Sequence, residues 1–546
     1  MARPTLAAVV AAFVMLFAPR PAAAHDEDAP SGRPEIIGKV HFPVSCNEAA
    51  QREFDRAVAL YHSFWFDPAN DSYNKVLELD PTCGMADWGL ALSALANPLA
   101  WPAPAKAMQA GAGFIEKAQR VGARTERERG FIDALAALFA NWQGTEHRPR
   151  ALAWEQSMEK VALANPDDTE SQIFYALTLV ANALPTDKTF ANQFKAGAIL
   201  EPMFESRSDH PGVAHYLIHA YDYTAIVEKG LPAARRYASI APSAPHALHM
   251  PAHIFTRLGL WEDSIQTNSA SVRAAKAELQ SPSLSLGSYN ALHAMDYMMY
   301  AYLQRAQDTA ARQLIEEVAP IQRLDAANLG AAYALAAMPA RFALERRRWD
   351  DAAQLELRPK DMPWDQFPHA EAVVVYARAL GAARLGNKAN AAADIGRLRQ
   401  LQADMQKMKL GYWAQQAQIQ IIAASAWLAF ADGKKDEALA AMQAAVDLES
   451  KSDKHPVTPG PLVPARELLG EMLLEMNRPD AALVEFEREI ATEPNRYRAI
   501  ANATRAAEQS GDRQLARALA DQLLELTAKR DTQRPEVLQA KLLLSM

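Results

Sequence analysis

Two stretches of the chain superimpose when one is slid 34 residues along the other. HPGVAHYLIHAYDY (210–223) lies over APHALHMPAHIFTR (244–257), so that Pro211 meets Pro245, His215 meets His249, His219 meets His253 and Tyr221 meets Phe255. A period of this length marks an array of small supersecondary units, none of which can bury its apolar face alone. The units read as helices. Ala- and Leu-rich stretches alternate with short Gly, Pro or Asp breaks, β-branched alternation is scarce, and no Asn-Gly pair separates apolar runs. Half of the 546 residues are hydrophobic, which is ample for burial but too long a chain for one compact core. The expected fold is therefore all-α, an extended array of helix–turn–helix repeats.

Composition also excludes some partners. Lys plus Arg is 57 against 65 Asp plus Glu, a net charge of −8 with no basic block, which is a poor match to a phosphate backbone. No nucleic-acid partner is expected. Two cysteines exclude a disulfide-stapled miniprotein and a zinc ribbon.

The clearest unit is 463–494. Leu469, Gly470 and Leu473 stand in its first helical stretch, Ala482 and Phe486 in its second, and Pro494 closes it. This pattern resembles the tetratricopeptide repeat (TPR), in which small residues let paired helices approach and large ones fill the gap between them. The unit 50–81 matches through Ala69, Tyr73, Val76 and the Asp80-Pro81 stop, with weaker units at 135–166, 211–242, 245–278, 327–358, 366–405, 411–450 and 497–528. The resemblance implies a right-handed TPR-like α-solenoid whose first helices line a concave groove. It also implies a scaffold that binds a protein or peptide there, usually without catalysis. A division near 305–325 gives two expected arrays, 41–305 with the histidines and 325–546 without them. The Pro-rich segment 451–464 reads as a longer loop.

The N-terminus carries an address. Arg3, the apolar run 5–18 and Ala22-Ala23-Ala24 have the order of a secretory signal. Residues 1–24 are expected to be cleaved, leaving a flexible polar leader over 25–40. The run is short for a bilayer span, and no other segment is long and apolar enough to be one. The expected location is periplasmic or secreted. In an oxidising compartment Cys46 and Cys83, 37 residues apart, are expected to form a disulfide worth about 3–4 kcal/mol by loop closure.

Six of the thirteen histidines fall within 44 residues: His210, His215, His219, His246, His249 and His253. Residues i and i+4 share a helix face, so the two H-x-x-x-H pairs, His215/His219 and His249/His253, aim at one patch of the wall if successive units stack in phase. His246 belongs with them. Asp222 follows His219 by three residues, and Asp296 follows His293 by the same spacing in a third helix near 287–304. Imidazole is the commonest ligand for late transition metals. The candidate metal set is thus His215, His219, His246, His249, His253 and His293, with Asp222 or Asp296 as a carboxylate ligand or as an orienting partner. Copper or zinc is the expected ion. His62 could face the groove but is remote in sequence. Three readings compete: a metal site, a polar groove for a peptide or anion, and a purely structural histidine cluster. If the metal site is real, the rival to a scaffold is a metal-dependent enzyme or a metal carrier. No H-E-x-x-H, Walker A, G-x-S-x-G or C-x-x-C-H motif is present. Glu126-Arg127-Glu128-Arg129 reads as a solvated helix face.

Overall fold

Helices follow one another in antiparallel pairs, and the two members of a pair are buried differently. Lys388–Lys407, a second helix, buries only Ala391, Ile395, Leu398, Leu401 and Met405, one stripe at helical spacing. Pro211–Tyr221, a first helix, buries every residue from end to end. Such a segment lies between layers. The computed structural model describes residues 35–100, 102–279, 283–451 and 453–545. The expected signal 1–24 and most of the leader 25–40 lie outside them.

The all-α repeat fold is as expected. The unit 463–494 forms the pair Ala465–Glu475 and Pro479–Thr492, joined by a tight turn at Asn477. Its small residue is required: a Cβ built on Gly470 would stand 2.5 Å from the Phe486 ring. Ala69, Tyr73 and Val76 are fully buried in the pair Glu48–His62 and Phe66–Leu79. Prolines open several helices at the first turn, including Pro211, Pro245, Pro368 and Pro479, where the missing N–H has no partner to lose. One weak unit is displaced. The pair expected over 135–166 is formed by Glu126–Phe139 and His147–Ala164. Pairs at Gly84–Ala94 with Ala105–Val121 and at Thr169–Asn182 with Ala191–Ser206 lack strong signature residues. The only strand pairing among the described residues joins Leu286–Gly287 to Arg323–Leu324.

From Ile36 onward the chain is one compact unit. One apolar core runs from Ile37 to Phe255 and another from Val272 to Leu519. The segment 36–40 is pinned: Lys39 N–H donates to Asp209 O (2.9 Å) and Ile36 N–H to Ser243 Oγ (2.9 Å). Cys46 and Cys83 form the expected disulfide, with Cα atoms 5.2 Å apart. Among the described residues no helix is long and apolar enough to cross a membrane.

The acidic-basic run 126–129 is a correction. Glu128 is buried, completes a capping box with Thr125, and accepts from Ser45 Oγ (2.6 Å). Arg127 pairs with Asp168 and lies over the Phe42 ring. Charge alternation suggested solvent throughout; Glu126 and Arg129 are exposed, whereas the segment Phe42–Ser45 covers Arg127 and Glu128.

Candidate metal centre

The repeat brings the histidines together. His215 and His219 stand four and eight residues after Pro211, the first residue of their helix, and His249 and His253 stand likewise after Pro245. The second helix continues from Pro245–His249 through Met250, which keeps helical dihedrals, into Pro251–Arg257. Its two imidazoles therefore stay one turn apart. In the next first helix, Tyr289–Gln304, the same positions carry His293 and Tyr297.

Two groups of three imidazoles result: His215, His219 and His246, and His249, His253 and His293. Within each group the ligand nitrogens all lie within 4.8 Å of one another. His215 Nε2 is 3.1 Å from His219 Nε2 and 3.2 Å from His246 Nε2; His249 Nε2 is 3.1 Å from His253 Nε2. Three nitrogens placed tetrahedrally at the ordinary zinc–nitrogen bond length would be about 3.3 Å apart. In each group two imidazoles are buried and the third, His246 or His293, is half-buried.

The opposite edges of the rings fix the protons. His215 Nδ1 faces the backbone oxygen of His62 at 2.6 Å, and His253 Nδ1 faces Asp222 Oδ2 at 2.9 Å. His249 Nδ1 faces Asn268 Oδ1 at 2.6 Å. Asn268 is held that way round because its amide N–H donates to Ser264 O at 2.7 Å. All three partners can only accept, so in each neutral ring the hydrogen sits on Nδ1 and Nε2 keeps its lone pair. Burial pushes His215 down to about 3 and His249 well below the usual imidazole value, the latter reinforced by His293. His253 is also lowered by burial, with Asp222 opposing. These rings are neutral at physiological pH. The Nε2 lone pairs of His249 and His253 then point at each other across 3.1 Å. In the other group the single lone pair of His215 meets two nitrogens but can accept from only one.

Both carboxylates have definite places. Asp222 stands behind His253 on its Nδ1 side, and it also takes Arg257 Nε at 2.5 Å and Lys454 Nζ at 3.5 Å. Burial raises its carboxyl, but Arg257 and Lys454 outweigh this and hold it well below the carboxylate range. Asp296 departs from the expectation of a ligand or an orienting partner. Its oxygens receive Arg341 Nε (2.8 Å) and Nη2 (3.4 Å), because the next first helix, Leu329–Glu345, brings that guanidinium against it.

Other residues of the site carried no signal in sequence. Phe64 packs against His215 and His246, with ring centroids 4.4 and 5.3 Å apart; Tyr297 packs against His249, His253 and His293 at 4.8, 5.1 and 5.4 Å. The segment 453–464 turns inward. Tyr297 Oη donates to Pro456 O (2.7 Å), and Arg341 Nη2 donates to Thr458 Oγ1 (2.7 Å). Beyond this loop lies a cavity of about 540 Å³ lined by Tyr333, His369, Trp413, Lys454, Glu449 and Glu489 among others.

His62 and His210 form a third cluster, centred on Glu170. Glu170 Oε2 takes His62 Nε2 at 2.9 Å and Oε1 takes His210 Nε2 at 2.8 Å, while the Tyr216 hydroxyl stands 2.9 Å from His62 Nδ1. Burial raises the Glu170 carboxyl, but the flanking His210 and His62 outweigh it and hold it far below the carboxylate range.

The sequence matches no family model and no curated protein. Among solved structures, yeast Tom70 is similar at 13% identity over 91% of this chain and 95% of its own, with a TM-score of 0.34. Human IFIT1, solved as a dimer with m7Gppp-AAAA, is similar at 11% identity over 81% and 90%, with a TM-score of 0.35. The APC/C hetero-tetramer Cut9–Hcn1 is similar at 10% identity over 91% and 96%, with a TM-score of 0.29. Likenesses at this level say nothing about what this chain binds.

Proposed function

We propose that this chain is an exported transition-metal protein in which a helical-repeat frame holds two three-imidazole sites, one formed by His215, His219 and His246 and the other by His249, His253 and His293. Copper or zinc is the ion class, as the all-nitrogen donor set favours. The observation that carries the reading is the pair His249 and His253. Their outer nitrogens are committed to Asn268 and Asp222, so their inner lone pairs face each other at 3.1 Å. A hydrogen bond needs a proton between two such nitrogens, and burial opposes adding one. A metal cation satisfies both, and an outer hydrogen bond to a carbonyl or carboxylate is the usual support of a metal-bound imidazole. Export rests on the Cys46–Cys83 disulfide and on the signal-like N-terminus.

Elemental analysis of tag-free protein from its native compartment tests this. The expected result is stoichiometric transition metal, lost in the His215→Ala/His249→Ala double variant while the circular dichroism stays helical. Metal-free protein that also takes up neither copper nor zinc on dialysis would sink the reading.

A second reading keeps the groove as a binding site for a protein or peptide, and the cavity of about 540 Å³ favours it. That volume is of small-ligand size and would take a short peptide segment rather than a folded partner. The histidine wall itself is too buried to serve as a peptide surface.

A further inference from the structure

Neighbouring rings within a group are 4.4–5.0 Å apart, and the closest rings across the two groups are still nearer than the farthest pair within either group. Across the divide, His219 and His253 have centroids 5.7 Å apart and His246 and His249 6.2 Å apart; within the groups His219–His246 and His253–His293 are both at 6.4 Å. Ions held by the two groups would be immediate neighbours, as in two-metal sites.

Charge then discriminates between metals. All six donors are neutral imidazoles. The carboxylates around the rings are already engaged: Asp222 by Arg257 and Lys454, Asp453 by Arg257 (3.5 Å), Asp296 by Arg341, and Glu170 by the His62 and His210 imidazoles. Asp453 is further paired with the half-exposed Lys188. Two divalent ions would therefore add four positive charges to a buried shell whose carboxylates already have partners, and uncompensated buried charge is expensive. Two monovalent ions add half as much. Among the metals that imidazole binds, copper is the one with a stable monovalent state, and three nitrogens satisfy it.

We infer that the six histidines form one dicopper centre, with each copper held by three imidazoles, monovalent at rest and taking a bridging anion on oxidation. This rests on the metal reading above. The step balances. Each copper gives one electron to an outer-sphere one-electron oxidant of the ferricyanide kind, two equivalents per centre, and a water entering between the ions releases one proton to solvent and stays as hydroxide, offsetting part of the added charge. Each ion keeps an open position for that ligand because the protein supplies only three donors.

The experiment is anaerobic titration of tag-free, chelator-treated protein with copper(I), followed by oxidation with two equivalents of ferricyanide and electron paramagnetic resonance. The expected result is two coppers per chain and an oxidised form whose signal is nearly abolished by coupling, together with a new azide-dependent absorption band. The His293→Ala variant, altered at a half-buried position, should hold one copper and show one full spin. Two coppers with two full spins would overturn the pairing and leave the metal reading standing. Zinc displacing copper(I) at equal concentration would overturn the charge argument, and uptake of neither metal would overturn the metal reading itself.

Discussion

The cluster around Glu170 and the paired imidazole groups are built from the same kind of residue in the same wall, yet they solve burial in opposite ways. At His62, Glu170 and His210 each carboxylate oxygen takes one imidazole, and Tyr216 satisfies the far nitrogen of His62. At His249 and His253 the outer nitrogens are as well satisfied, but the inner ones are turned on each other. Buried polar groups in folded proteins almost always find partners. The Glu170 cluster supplies its own anion and leaves only His210 Nδ1 without a partner, whereas the His249–His253 pair turns two lone pairs on one point with no anion between them, and that difference is what the proposed metal site rests on. Residue type alone does not separate the two. The accounting of each nitrogen does.

Four perturbations test that contrast, beginning with the largest effect. Glu170→Ala leaves two buried imidazoles without their carboxylate and should cost about 3–5 kcal/mol in urea unfolding, with metal uptake per folded chain unchanged; a loss of metal without loss of stability would reverse the roles of the two clusters. Next is pH. Burial holds His215 and His293 down to about 3 in the folded chain, whereas the unfolded chain titrates near 6.5. The unfolded state therefore binds more protons as pH falls, and stability declines below pH 6.5 by about 1.4 kcal/mol per pH unit for each ring. Because the unfolded rings are only half protonated at pH 6.5, the first unit of that descent should cost chelator-treated protein roughly 2 kcal/mol for the two rings together, with the full slope reached below it, and a flat profile would mean that the rings are solvated. Asn268→Leu removes the acceptor behind His249 and should weaken metal binding about 10–100-fold in a competition titration; unchanged affinity would mean that the orienting bond is incidental. Smallest, Tyr216→Phe strips one bond from His62 and should cost about 1 kcal/mol with no change in metal affinity. A change in affinity there would show the clusters to be coupled.

The helix pairs were legible because signature residues are packing necessities: Gly470 is small since Phe486 leaves no room for a Cβ. The four periodic histidines were legible for the same reason, since an in-phase repeat repeats its inner wall. Asp296 misled because a three-residue spacing copied from His219–Asp222 ignores what the next helix offers, here Arg341. Glu170 and Asn268 were invisible because their partners lie 108 and 19 residues away and nothing periodic links them. The loop 451–464 read as a surface connection from its prolines. The inward path of 453–464 depends on Asp222, Tyr297 and Arg341, three residues spread over the earlier repeats.

The most direct measurement is X-ray absorption at the metal edge of protein loaded with copper(I). The account predicts a shell of about three nitrogens near 2.0 Å per ion with the outer-ring scattering of imidazole. A shell dominated by sulfur, by carboxylate oxygen or by six water-like scatterers would contradict it.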